Sequence, residues 1–349
     1  MRMKKITIAL DMNGCPNRCR HCWIGHSPNG NLTEEDLKYA AAQFRPYTDC
    51  LEVYDWYREP DYHDDYKLRW ELCEQLSDRK REHFELVSVW RLVRDRAYGP
   101  WLSSLGLKAA QLTLFGGQEK TDHYTGRRGA YHEILEAVNI LLENGIAPRF
   151  QIFVNKDNLE ELLFLEALTE ELEMEKRCCD IGGTFQIFLH QGSCDGENEK
   201  LYDIRVTEDD LQKFPKKLAD CTLQYFEKQS LRQVFGETEQ SLFDAFLHDS
   251  STQNLASPTP TFFIDRNFDV YPNVAPTEEF WRLGNLKVDG AEMILKRYGG
   301  NESPAQHVSA TVPLSKIAAA VGDPNSKRLF TRGDYAEYLT NKFCRERKK

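Results

Sequence analysis

The sequence predicts an α/β fold of parallel strands followed by a smaller α+β extension. Three observations carry this. Short apolar runs alternate with helix-period segments through the first two-thirds of the 349 residues, as parallel βαβ units require. A loop with three cysteines follows the first apolar run directly. After Gln191 the alternation stops and polar, turn-rich segments take over.

Lys5 to Leu10 is rich in isoleucine and predicts the first strand. Thr33 then caps a helix, with Glu34, Glu35 and Asp36 in its first turn and apolar residues to Phe44. Cys50 to Tyr54 predicts the second strand, Asp61 to about Arg81 a charged surface helix, Phe84 to Trp90 a third strand and Ala110 to Phe115 a fourth. A helix over Tyr131 to Asn144 stops at Gly145. Arg149 to Val154 is the fifth strand, Leu159 to Leu172 a helix capped by Asp157 or Asn158, and Thr184 to Leu189 the sixth strand. Helical stretches over Glu208 to Lys228 and Leu231 to Phe246 lead to a Ser/Thr/Asn/Pro-rich linker, Asp249 to Pro260. Thr261 to Asp265 and Val270 to Tyr271 flank Arg266-Asn-Phe-Asp269 as a β-hairpin.

Composition sets limits. Apolar residues make up 41% and charged residues 29%, as in a soluble globular chain. A formal net charge of −10 does not suit a nucleic-acid backbone, so no nucleic-acid partner is expected. No apolar stretch reaches membrane-spanning length, and the run after Met-Arg-Met-Lys-Lys is too short for a signal peptide. Ten cysteines without paired spacing predict a reducing, cytoplasmic setting.

The cysteine loop reads Asn13-Gly-Cys-Pro-Asn-Arg-Cys-Arg-His-Cys-Trp23. Cys15, Cys19 and Cys22 are three candidate ligands on one short loop. Four-iron clusters normally take four cysteines, so a set of three leaves one iron open for chemistry. Gly14 and Pro16 shape the loop, and Trp23 either shields the site or packs. A structural zinc site completed by His21 or His26 is the competing reading, but no partner CxxC follows downstream.

This CxxxCxxC spacing, with His21 before the third cysteine, resembles the radical S-adenosylmethionine superfamily. The resemblance implies a partial (β/α)6 TIM-like barrel over about residues 1–200, then a helical connector at 201–260. It implies a 4Fe-4S cluster that chelates S-adenosylmethionine, an external one-electron reductant such as flavodoxin or ferredoxin, and a 5'-deoxyadenosyl radical that takes hydrogen from a substrate. The family's Gly-Gly-Glu-Pro motif corresponds to Trp56-Tyr-Arg-Glu-Pro60, which makes Glu59 the contact for the methionine amino group; the turn Phe115-Gly-Gly-Gln-Glu119 competes by its letters. Arg127 or Arg128 would pair with the methionine carboxylate. Asn155 would touch the ribose or serve as a turn residue. Cys194 would be a hydrogen-atom donor or an incidental thiol. Tyr54 to Tyr57, with Trp90, Arg91 and Arg94, would line an aromatic mouth for a polar substrate carrying a negative group.

Phe263-Ile-Asp-Arg-Asn-Phe-Asp-Val-Tyr-Pro272 and Leu283-Gly-Asn-Leu286 resemble the start of a SPASM extension, here residues 261–349. The usual pattern is Asp-x-x-Gly-x-Val-x-Pro-Cys. Asn273 stands in the cysteine's place and only Cys344 lies beyond it, so no auxiliary cluster is expected. The primary functional expectation is a redox-balanced rearrangement of a small molecule: epimerisation, isomerisation or decarboxylation. The alternatives are a ribosomal-peptide maturase, whose leader recognition would need a separate protein, and a non-catalytic metal-binding scaffold.

Overall fold

The computed structural model describes residues 2–11, 14–25, 32–55, 59–192, 196–274 and 277–347. The first strand, β1 (Ile6–Leu10), is buried at all five positions, as a strand covered on both faces must be. Helix α1 (Glu34–Phe44) returns the chain to β2 (Leu51–Tyr54), which pairs parallel to β1 with Ile8 opposite Val53. Thr33 closes α1 with a full capping box to Asp36, and three acidic residues sit on the first turn.

Next come α2 (Tyr66–Leu76), α3 (Val89–Leu92), α4 (Tyr98–Ser104) and β3 (Ala109–Leu114). They are followed by α5 (Gln118–Thr125), α6 (Ala130–Glu143), β4 (Ala147–Phe153), α7 (Leu162–Glu171), α8 (Met174–Asp180) and β5 (Gln186–His190). Strands β3, β4 and β5 form a parallel three-stranded sheet, with Gln111 opposite Arg149 and Phe153 opposite His190. Leu112, Phe150, Ile152 and Leu189 on this sheet share one core with Val138 and Leu141 of α6. Each such side chain, when fully buried, contributes about 1.5–3 kcal/mol of hydrophobic stabilisation.

Four expectations change. The third strand over Phe84 to Trp90 reduces to one parallel bridge, Leu86 opposite Gln111. The reason is Ser88: its hydroxyl accepts from Arg91 N at 3.1 Å and starts α3 inside the expected strand. The helix expected over Asp61 to Arg81 is shorter. Ser77 leaves helical geometry, donates to Cys73 O at 2.7 Å and accepts from Val53 N at 3.0 Å. The helix expected over Glu208 to Lys228 splits at Pro215 into α9 (Glu208–Leu211) and α10 (Lys216–Tyr225). The next one splits at Gly236, with φ of 94°, into α11 (Leu231–Phe235) and α12 (Glu239–Leu247), with β6 (Glu237–Thr238) between them.

The hairpin forms as expected, but its first strand does more. Strand β7 (Thr261–Ile264) pairs antiparallel with β8 (Asp269–Tyr271) and parallel with β1 on its other edge, Ile8 facing Phe262. With β9 (Gly284–Asn285) the sheet order is β2-β1-β7-β8-β9. Helices α13 (Leu286–Gly299), α14 (Pro304–Thr311), α15 (Leu314–Val321) and α16 (Arg332–Arg347) follow, with β10 (Leu329–Phe330) pairing β6. Among the described residues, no helix is long and apolar enough to cross a membrane.

Candidate active site

The cysteine loop leaves the C-terminal end of β1 and turns at Gly14, whose φ of 69° favours glycine. Two later segments brace it. The end of α5 accepts from the loop backbone, Arg18 N to Thr125 O at 3.0 Å and Arg20 N to Tyr124 O at 2.8 Å. Gly126, at φ of 65°, allows this contact, since a Cβ there would meet Arg18 O at 2.5 Å. Gly196 braces the other end: Glu197 N donates to Cys22 O at 2.8 Å, and a Cβ on Gly196 would lie 2.5 Å from that carbonyl.

Cys15, Cys19, Cys22 and His21 line a cavity of about 400 Å³, within the range of small-ligand sites. Glu59 and Arg127 line it too. Glu59 is buried; Ser88 Oγ donates to its Oε1 at 2.6 Å, and the Cys15 thiol lies 3.7 Å from its Oε2. Burial raises its carboxyl to about 7, against the opposing pull of the Ser88 and Cys15 hydrogen bonds. Removal from water therefore outweighs both bonds and the Arg127 charge, and favours the protonated form.

The thiols of Cys15 and Cys19 are pushed well up, first by burial and then by neighbouring thiols and Glu59. Arg127 works against this at Cys19, and it lowers Glu59 as well. Arg127 itself is held by Glu133 at 2.6 Å and donates to Asn17 Oδ1 at 2.6 Å, so it ties α6 to the cysteine loop. His21 packs on Phe115 and Phe153, with ring centroids 4.7 and 4.9 Å away, and its buried Nδ1 has no hydrogen-bond partner among the described residues. Burial lowers its ring to about 3.

The donor set fits an iron–sulfur cluster. Crowded, desolvated thiols ionise when a cationic body binds them.

The other expected residues lie as follows. Arg128 is exposed and does not line the cavity. Asn155 is buried behind the wall, donating to Tyr124 Oη at 2.9 Å and accepting from Asp157 N at 2.8 Å. Trp23 lines the cavity. Cys194, His26 and the Trp56–Arg58 stretch lie outside the described residues. The competing turn Gly116-Gly117 holds this chain's own carboxylate, Gly117 N donating to Glu161 Oε2 at 2.8 Å.

The expected arginine mouth does not form on the cavity. Arg91 is buried, donating to the carbonyls of Asp61, Tyr62 and His63, and Arg94 pairs with Glu133 at 2.5 Å. Sequence reasoning missed Ser88, Gln111, Gln151 and His190, of which the last three line the cavity. The inward register of alternate strand residues was the available signal for them.

Comparisons with known proteins bear on the family and the fold. The sequence model of the Radical SAM superfamily matches residues 10–166. No curated protein matches the chain. Among solved structures, native anSMEcpe with bound AdoMet aligns at TM-score 0.56 and 14% identity, covering 98% of this chain and 97% of that one. The same enzyme with AdoMet and the Kp18Cys peptide aligns at TM-score 0.55 and 14% identity, covering 98% of both chains. At this identity the likeness shows the fold. The superfamily's cofactors are a 4Fe-4S cluster and S-adenosylmethionine, and three thiols of the matched segment line one cavity. The chain therefore carries a Radical SAM superfamily domain over residues 10–166.

Proposed function

We propose that the enzyme carries out a redox-balanced modification of a peptide. The observation that carries this is the single cavity in which Cys15, Cys19, Cys22 and Glu59 face a neutral polar floor of Gln111, Thr113 and Gln151. The solved structures that share its fold over 98% of the chain include complexes described with the Kp18Cys and Cp18Cys peptides, which supports a peptide ahead of a small molecule.

When bound, the cluster and S-adenosylmethionine supply the electron and the radical that takes hydrogen from the substrate. The chain's own residues hold and orient. Cys15, Cys19 and Cys22 grip the cluster. Glu59, steered by Ser88, accepts from the methionine amino group, whose charge draws the carboxyl into its ionised form. Arg127 neutralises the methionine carboxylate and keeps the loop on α6. Arg128 and Asn155 take no part in this reading.

The redox-balanced assignment comes from Asn273, which stands where SPASM extensions carry a cluster cysteine, and from Cys344, which is buried. The reading retains a partial (β/α)6 barrel, a helical connector and a SPASM-like extension without its own cluster, and a flavodoxin- or ferredoxin-type reductant. The same balance applied to a small molecule is the second reading.

The test is anaerobic reconstitution with dithionite, S-adenosylmethionine and a peptide library in deuterated water. Formation of 5'-deoxyadenosine, with one deuterium retained in a peptide of otherwise unchanged composition, is expected for epimerisation. Cleavage driven only by non-peptide metabolites would overturn the peptide assignment, and four extra irons per chain would overturn the redox argument.

A further inference from the structure

A hydrogen-bonded row crosses the β3-β4-β5 sheet toward the cavity. It begins at Arg149, a buried residue whose Nη1 meets Glu85 Oε2 at 2.5 Å and whose Nη2 donates to Gln111 Oε1 at 3.3 Å. A guanidinium has donors only, so Gln111 must present its oxygen to it. That choice turns the Gln111 amide N–H to Gln151 Oε1. Gln151 must then donate in its turn, and its Nε2 lies 3.4 Å from His190 Nδ1. The backbone N–H of Gly192 donates to the same Nδ1 at 3.2 Å.

Two independent donors make Nδ1 the accepting nitrogen. A neutral His190 therefore carries its proton on Nε2. All hydrogen bonds of this ring within the described residues end on Nδ1, and the ring lines the cavity. Each glutamine amide also has a second N–H beyond the one used in the row. The row is thus directional, running from Arg149 to a set of N–H donors at the cavity surface.

The charge balance of this wall limits what it can bind. Arg149 is already matched by Glu85, so the row offers donors without a formal positive charge. Carboxylates and phosphates favour cationic, bidentate partners; neutral carbonyl oxygens are satisfied by neutral N–H groups. Leu86, Val87, Val89 and Ile134 supply apolar lining to the same cavity. Neutral donors beside apolar surface match an amide-bearing segment, with carbonyls on the donors and side chains on the apolar part.

We propose that Gln111, Gln151 and His190 form the substrate anchor, and that they bind the amide carbonyl oxygens of a neutral, peptide-like substrate. This rests on the radical S-adenosylmethionine reading of the cavity and narrows its substrate to amides.

The probes are N-acetyl amino-acid N-methylamides with apolar, polar and charged side chains, together with the matching N-acetyl acids. Equilibrium dialysis against the reconstituted enzyme with S-adenosylmethionine reads binding without requiring turnover. At least one amide should bind, with its free acid about tenfold weaker. Gln151→Leu and His190→Phe should each weaken the best amide about tenfold, while His190→Gln, which keeps an N–H donor, should stay within about threefold of wild type. S-Adenosylmethionine affinity should hold in all three. If Gln151→Leu loses its iron or its circular dichroism signature, Gln111→Leu reads the same row.

The proposal is overturned if no amide binds, if the acids bind as tightly, or if the leucine and phenylalanine variants bind amides like wild type. A parallel fall in S-adenosylmethionine affinity would assign the row to the cofactor and also overturn it. Wild-type protein that binds amides but never forms 5'-deoxyadenosine with dithionite would instead sink the underlying enzymatic reading.

Discussion

The Ser88 hydroxyl closes the first turn of α3 and also donates to Glu59, a carboxyl from another loop. Ser88→Ala should remove both bonds at once. The cap alone is worth about 1 kcal/mol of stability, and a buried acceptor left unsatisfied adds about 1–3 kcal/mol. We expect S-adenosylmethionine affinity to fall about tenfold at unchanged iron content, read by equilibrium dialysis and iron analysis. Unchanged affinity would remove Ser88 from the site.

His190 provides a second residue-level prediction. Burial, then the Arg205 charge, lowers its ring to about 4, below the unfolded histidine value near 6.5. The folded state thus binds this proton less readily than the unfolded chain. Its contribution is fully present above about pH 6.5 and is lost as the pH falls toward 4. Glu59, raised by burial to about 7, acts in the opposite sense: its contribution is present at low pH and lost as the pH rises through 7. Comparing wild type with His190→Gln cancels Glu59. Between pH 7.5 and pH 5, wild type should lose about 1–2 kcal/mol more stability than the variant by urea titration. Parallel curves would show that the ring is not held neutral.

At the scale of elements, the cysteine loop is shaped by α5 on one side and by the segment after β5 on the other. Gly126→Ala would place a Cβ 2.5 Å from a loop carbonyl in a backbone conformation that favours glycine. The purified variant should bind less than half the wild-type iron while keeping its helical signal by circular dichroism. Full iron loading would mean that the loop yields at no cost. Such braces are hard to read in a sequence. Cys15, Cys19, Cys22, β1 and the Thr33 cap were legible because each is a local pattern of a few residues. Gly126, Gly196 and Ser88 act across long sequence separations, and nothing near them in the chain names their partner. The strand expected over Phe84 to Trp90 failed for a related reason. Its apolar content was real, but one cap inside it redirected the backbone after a single bridge.

For the whole molecule, the main lesson is where the hairpin docks. The sequence shows two strands and a turn; it cannot show that β7 lies against β1 rather than in a separate sheet. That placement unites the core of Ile6, Ile8, Leu10, Phe262 and Ile264. Deleting residues 261–349 would bare one edge of β1 and uncover that core. The shortened chain should aggregate or bind a hydrophobic dye strongly, and should fail to take up iron on reconstitution. A soluble, brown truncation product would show that the parallel strands stand alone.

Because β1 launches the cysteine loop and is flanked by β7, the first strand to be synthesised waits for one of the last. On the ribosome, the loop emerges long before its sheet is complete. The sheet that carries the loop therefore closes only after the chain through Ile264 has been made.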